Sequence, residues 1–310
     1  MTETCQPSPL ILSGIDGGNP LGFLAALGAL RTATRALPNA EVRMKWQIDY
    51  GSWRPALMST HDLSPSTLID HLMPLLKGMT GHPAFAFSDD LTLSSDEFRS
   101  VAAAASSKAS PQDRTFADFV VAFGCDGLVT SGNEQRIQDT ALRTMSGAGH
   151  QHFLGFMREL VEKTELCHLH DALFERWTYA DDKPSLRWDP IDDRRYALRW
   201  REPSGDPVKT VRGANRLAIE ALPLLPTAVV GKTLETTGFQ RWRKQGIFFT
   251  WPIWEVSIPL SVVGSLVSLP ELQSPAPDRC LLKTVGIVEI YRSQRITQGK
   301  YRNFTSARPV

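Results

Sequence analysis

SGIDGGNPLGFLAALGALRTATR, residues 13–35, is the stretch from which the fold is best read. Glycines Gly14, Gly17 and Gly18 come first, Asn19-Pro20 makes a turn, and an apolar segment follows. Asn19 has the side chain of a helix N-cap, whose oxygen accepts a first-turn N–H. Pro20 suits the first helical position, where its missing N–H leaves nothing unpaired. Phe23, Leu24, Leu27, Leu30 and Ala33/Thr34 recur at helical spacing, with Ala25, Ala26, Gly28 and Ala29 between them. A helix so rich in small residues predicts a central core element that other backbones approach closely. A second reading has the glycine loop holding an anion, because free N–H groups and the helix dipole favour negative charge there. Neither G-x-G-x-x-G nor G-x-x-x-x-G-K-[ST] occurs, so both nucleotide fingerprints fail.

Working outward, residues 8–12 read as a short strand entering the loop. Glu41–Ile48 alternates with period two, Trp53–Met58 reads as its hairpin partner, and Gly51-Ser52 is the turn. Ser64-Pro65 starts a helix through Lys77, with Leu68, Ile69, Leu72, Leu75 and Leu76 on one face. Phe85–Leu93 reads as extended. Helices are predicted over Asp96–Ser107, Gln112–Phe123 (ended by Gly124), His150–Lys163, Ala172–Tyr179 and Gly213–Leu225. Residues 127–132 read as a loop or short hairpin. Strands are predicted over Leu234–Gly238, Ile247–Trp254 and Trp254–Pro259. Helical character follows over Ser261–Ser268 and Ala276–Gly286, then an apolar run at Ile287–Ile290. Hairpin-like strand pairs and clustered helices predict an α+β fold, with mostly antiparallel strands around the central N-terminal helix.

Hydrophobic content of 42% and charged content of 22% are those of a globular protein. No apolar run approaches the ~20 residues that span a bilayer, and the first residues do not read as a signal peptide. Cys5, Cys125, Cys167 and Cys280 lie far apart without a C-x-x-C pair, which fits reduced thiols in a cytoplasm. The net charge of +1 hides an asymmetry. Residues 1–186 carry 15 Lys/Arg and 22 Asp/Glu, residues 187–245 carry 12 and 7, and residues 279–310 carry 7 and 1. The expectation is an acidic, helix-rich part over 1–182 and a basic, aromatic-rich part over 183–310, as two parts or one continuous domain. A basic second half suits a polyanion, and equally an uneven solvated surface.

Four constellations could carry chemistry. His150 and His152 could bind a metal from a loop, as could His168 and His170, but neither pair has further ligands at a recognised spacing. Ser146 and Cys125 sit in glycine-flanked segments without G-x-S-x-G. The pairs Asp89-Asp90, Asp181-Asp182 and Asp192-Asp193 fall in turn-like segments, where Asp serves local backbone bonds. No catalytic residue, metal or cofactor is assigned from them. The fourth is a basic-aromatic set: Arg187, Arg194, Arg195, Tyr196, Arg199, Trp200, Arg201, Arg212, Arg216, Arg241, Arg243, Lys244, Arg292, Arg295, Lys300 and Arg302, interleaved with Trp188, Trp242, Tyr301 and Phe304. Arginine pairs phosphates bidentately and aromatics stack on bases, so these residues are the candidate nucleic-acid contacts. The bland alternative places the aromatics in the core and the arginines on its solvated face.

The segments GIDGGNPLGFLAALGALR, TALRTMSGAGHQHFLGFMREL, LRWDPIDDRRYALRW, GANRLAIEALPLLP, FTWPIW and RSQRITQGKYRNFT carry a resemblance. Together they resemble proteins of type I-G (formerly I-U) CRISPR loci, both the large-subunit-like proteins and a family named as an extension of the helicase–nuclease. The resemblance implies a non-enzymatic, cytoplasmic subunit of an antiviral ribonucleoprotein complex. Its implied partners are a guide-RNA complex, other CRISPR-associated proteins and target DNA, with no membrane. In such complexes base pairing supplies sequence specificity while proteins grip backbones. Two rivals stay open: a metal-dependent nuclease or hydrolase using His150 and His152, and a protein–protein adaptor without nucleic-acid contact.

Overall fold

Asn19 caps the first helix through its side chain. Its Oδ1 accepts from the N–H of Leu21 at 2.8 Å and of Gly22 at 3.3 Å. The structure, a computed structural model, describes residues 8–87, 89–130, 135–145, 147, 150–192, 209–298 and 301–310. Strand β1 (Leu10–Ile11) enters the glycine loop and helix α1 (Pro20–Ala36) leaves it. The loop's own donors are spent on the protein. Gly14 N–H reaches Leu173 O at 2.8 Å, Gly17 N–H reaches Trp53 O at 2.8 Å, and Gly18 N–H reaches Asp16 Oδ1 at 2.9 Å. The carboxylate of Asp189 accepts from Asn19 Nδ2 at 3.3 Å. The N–H groups of Gly14, Gly17 and Gly18 thus close the turn and dock it on neighbouring backbone.

The hairpin appears as β2 (Arg43–Asp49) and β3 (Ser52–Met58), in register from Arg43↔Met58 to Asp49↔Ser52. Its turn residues Tyr50 and Gly51 have φ of 45° and 78°, the positive pair of a tight hairpin turn. Helix α2 (Pro65–Lys77) has the bounds its Ser-Pro start predicts, with Ser64 and Thr67 in a capping box. Helix α3 (Ser95–Lys108) is boxed by Ser94 and Glu97. Helix α4 (Thr115–Phe123) ends at Gly124 as expected, and Gly124 at once opens strand β4 (Gly124–Val129). The φ of Gly124 is 178°, extended backbone, so the chain passes from helix to strand without a break. Strand β5 (Ile137–Asp139) pairs with β4. The Phe85–Leu93 segment is not a strand: a 3-10 turn covers Pro83–Phe85, and Leu91 has φ of 54°. A backbone turned that way does not continue a ladder.

Helix α5 (Phe153–Lys163) starts after His152, and α6 (Leu166–Phe174) precedes the position expected at Ala172–Tyr179. The chain turns extended at Glu175, and Trp177 Nε1 donates back to Ala172 O at 2.9 Å. Next come α7 (Arg212–Ile219), the hairpin β6 (Thr227–Val230) and β7 (Thr233–Thr236), and β8 (Phe239–Trp242) with β9 (Gly246–Trp254). Strand β10 (Ile258–Pro259), α8 (Leu260–Val267) and α9 (Arg279–Thr284) follow. The chain closes with β11 (Ile287–Gln298), β12 (Tyr301–Phe304) and β13 (Arg308–Pro309). One sheet runs β1-β3-β2-β10 and another β12-β11-β9-β8 with β13 on β11. Every strand pairing among the described residues is antiparallel, and the fold is α+β.

Helix α1 is the buried centre, with Pro20 to Ala33 all removed from solvent. Phe23 stands among Trp46, Trp251, Trp254 and Phe249, with ring centroids 5.7–6.5 Å apart. Trp251 Nε1 donates to Gly17 O at 2.8 Å and Trp254 Nε1 to Met44 O at 2.9 Å, so these two bury area with their donors paired, whereas Trp46 Nε1 has no partner among the described residues. Helix α1 crosses α7 at Gly28, where an added Cβ would stand 1.7 Å from Leu217 O. Among the described residues no helix is long and apolar enough to cross a membrane.

Candidate nucleic-acid interface

The sheet β12-β11-β9-β8 sorts its side chains by parity. Arg241 pairs across to Ile247, Ile247 to Arg295, and Thr297 to Arg302. Cross-strand neighbours share a face, and so do residues two apart on one strand. Arg241, Ile247, Arg295 and Arg302 therefore continue the face that carries Phe239, Phe249 and Phe304 into the core. Phe239 and Phe249 stack at 4.7 Å, and Phe304 closes on both. Beyond these rings the same face stops packing and lines a cavity of about 420 Å³.

The far wall comes from β5 and the turn after it. Asp139, Thr140 and Arg143 line the cavity, with Arg136 from the residue preceding β5. Arg143 is held at both ends of its guanidinium, by Asp90 O at 2.7 Å and by Asp139 at 2.8 Å. The Arg143 carbonyl in turn accepts from Arg295 at 2.9 Å and from Arg302 at 3.2 Å. Arg302 N–H also reaches Thr144 O at 3.1 Å. Three guanidinium groups are thus fixed around one backbone oxygen and one carboxylate. Five arginines and a single acid line the cavity among the described residues.

Crowding and burial show in the titration of these groups. Burial, then the neighbouring charge of Arg302, pulls Arg295 down to about 9. Burial also lowers Arg302. Asp139 is raised by burial, against the pull of Arg143. Arg143 Nε and Arg295 Nε are buried without a hydrogen-bond partner among the described residues. The wall therefore holds more positive charge than its own carboxylate neutralises, in a place where water screens poorly.

Arg241 connects the cavity to an exposed basic turn. Arg243, Lys244 and Gln245 form the β8–β9 turn, closed by Gln245 N–H to Trp242 O at 3.1 Å. Arg241, Arg243 and Lys244 are all exposed. Trp242 is half-buried against Phe248 at 4.4 Å, with the Arg292 guanidinium 4.4 Å from its ring centroid.

The remaining predicted contacts divide. Arg216 is corrected to a core residue: it is fully buried, 3.0 Å from Glu220, and donates to Leu76 O at 2.8 Å. Arg292 is likewise 8% exposed and spent on Thr250 and the carbonyls of Leu272, Ser274 and Pro275. Both are held inward because a guanidinium serves several acceptors at once, a carboxylate and a carbonyl for Arg216, a hydroxyl and three carbonyls for Arg292. Arg187 is half-buried and bonds Gln151 and Asn303, and Arg212 is half-buried beside His168. Trp188 is core, donating to Leu142 O at 2.9 Å. Arg194, Arg195, Tyr196, Arg199, Trp200, Arg201 and Lys300 lie outside the described residues, as does Ser146.

His152 Nδ1 sits 2.7 Å from Asp90 Oδ2, whose other oxygen accepts the N–H of Phe153 at 3.0 Å. This carboxylate fastens the start of α5. Among the described residues no group of three or more His, Cys, Asp or Glu is placed to hold a metal ion. Arg136, Asp139 and Arg143 were not among the predicted contacts, because the charge count assigned them to the acidic part. The one local signal was Asp139 and Arg143 at i, i+4. No protein-family model matches this chain, and no curated protein matches it.

Proposed function

We propose that this chain is a non-catalytic, cytoplasmic subunit of a CRISPR-type antiviral complex that grips nucleic-acid backbone. The gripping face runs from the exposed β8–β9 turn to the arginine-lined cavity. The observation that carries this reading is the gathering of Arg143, Arg241, Arg295 and Arg302 around one cavity. Guanidinium forks match phosphate oxygens in pairs, and backbone bonds already set the orientation of Arg143, Arg295 and Arg302. The resemblance of the chain's segments to type I-G CRISPR proteins supplies the complex, with guide RNA, target DNA and other CRISPR-associated proteins as partners.

The test is a titration of the full chain with single-stranded DNA, duplex DNA and RNA at two salt concentrations. Binding that weakens as salt rises supports the reading. Replacing Arg241, Arg243 and Lys244 together by Gln should flatten the log–log salt slope on single strands by about 2, at ~0.7 per lost phosphate contact. An unchanged affinity and slope in the folded variant removes the turn from the interface. No binding at low salt overturns the reading.

The adaptor reading has one observation in its favour. Tyr50 and Ile48 at the β2–β3 tip are 99% and 65% exposed. An exposed tyrosine on a tight turn is the kind of anchor that protein interfaces bury. The two readings combine if this tip meets a partner subunit while the arginine face meets nucleic acid.

A further inference from the structure

We infer that the arginine-lined cavity receives the terminal phosphate of a nucleic-acid strand, a phosphomonoester, rather than an internal stretch of backbone. The inference rests on the nucleic-acid reading above and narrows it to a chain end.

Size is the first argument. The cavity holds about 420 Å³, near the lower end of the roughly 300–1,000 Å³ found for single small-molecule sites. That is room for one nucleotide-sized group. Charge is the second. An internal phosphodiester carries one negative charge, while a phosphomonoester is close to doubly charged at neutral pH. Arg143, Arg295 and Arg302 face a single carboxylate, Asp139, and Arg241 stands at the rim. The more highly charged group relieves more of that excess.

The third argument is the chemistry of the wall. Among the described lining residues there is no aromatic ring on which a base could stack. Thr92, exposed beside the arginines, offers a hydroxyl donor to phosphate oxygens. The cavity is therefore built to recognise the anionic end and to ignore base identity. Preorganisation is the fourth. Arg295 and Arg302 are each anchored on the Arg143 carbonyl, so binding need not order three long side chains at once.

The experiment compares fluorescent twelve-nucleotide strands of one sequence bearing a 5′-phosphate, a 3′-phosphate or hydroxyls at both ends. The full chain is titrated at one fixed salt, with mononucleotide and inorganic pyrophosphate as competitors. At least one phosphorylated strand is expected to bind about tenfold or more tighter than the hydroxyl strand, and which one shows the end that is read. The preference, read as the ratio of phosphorylated-strand to hydroxyl-strand affinity, should disappear in Arg302→Gln and in Arg241→Gln. Pyrophosphate should abolish the preference at concentrations that leave hydroxyl-strand binding intact. Equal affinity for all three strands overturns the end-group inference and leaves backbone binding standing. No binding of any strand overturns both. A preference that survives in both variants moves the end site away from this cavity.

Discussion

Arg31 and Arg216, at 5% and 0% exposure, share the carboxylate of Glu220. Arg31 reaches one oxygen at 2.6 Å and Arg216 the other at 3.0 Å. Burial lowers the pKa of both arginines, opposed by Glu220. Glu220→Gln leaves two buried guanidinium groups without a counter-charge. We expect a loss of about 3–5 kcal/mol, read as a lower urea midpoint with an unchanged slope. Arg295 makes the opposite prediction, because the carboxylate near it, Asp139, is shared with Arg143 and Arg302. Arg295→Met should leave the free chain as stable or more stable, seen as an equal or higher Tm, while anion affinity falls.

At the scale of elements, two glycines set the spacing of three helices. An added Cβ at Gly28 would stand 1.7 Å from Leu217 O, and one at Gly213 would stand 2.0 Å from His168 O. Helix α7 is held between α1 and α6 by these approaches. Backbone cannot move aside as a side-chain tip can, so Gly28→Ala should cost about 1–3 kcal/mol or more, measured by denaturant unfolding. Gly264→Ala is the control, since nothing stands within 4 Å of its added Cβ and helix propensity favours Ala there. The elements most legible in sequence were those with local signals: the Asn19 and Ser64 caps with proline behind them, and the period-two hairpin of β2 and β3. Strand β11 was legible only as the apolar run at Ile287–Ile290. Its continuation, YRSQRITQ, has few apolar residues to alternate, because one face of that half supplies cavity charge and the other anchors Arg292.

At the scale of the molecule, the acidic and basic halves share one core. Strand β10 completes the sheet begun by β1, β2 and β3, α7 packs on α1, and Trp251 and Trp254 bond backbone from the first fifty residues. Fragments 1–182 and 183–310 expressed apart should each lack a cooperative thermal transition, since each would expose part of that shared core. Mixed after co-expression, they should regain one transition, visible by calorimetry. The arginine cavity belongs to the same scale: Arg136, Asp139 and Arg143 come from one half, and Arg241, Arg295 and Arg302 from the other.

The sequence by itself determined the central helix, its caps, the antiparallel hairpin and the α+β class, because those depend on signals a few residues apart. It also marked Arg241, Arg295 and Arg302 as basic residues among aromatics, but Arg216 and Arg292 carried the same mark. Only the tertiary structure separated them. Whether an arginine is spent on core carbonyls or lines a cavity depends on strand register and on what the other half brings opposite it. Pairing register between β8, β9, β11 and β12 placed Arg241, Arg295 and Arg302 on one face and Arg292 on the other. A contact across 152 residues, from Arg295 to the carbonyl of Arg143, closed the site.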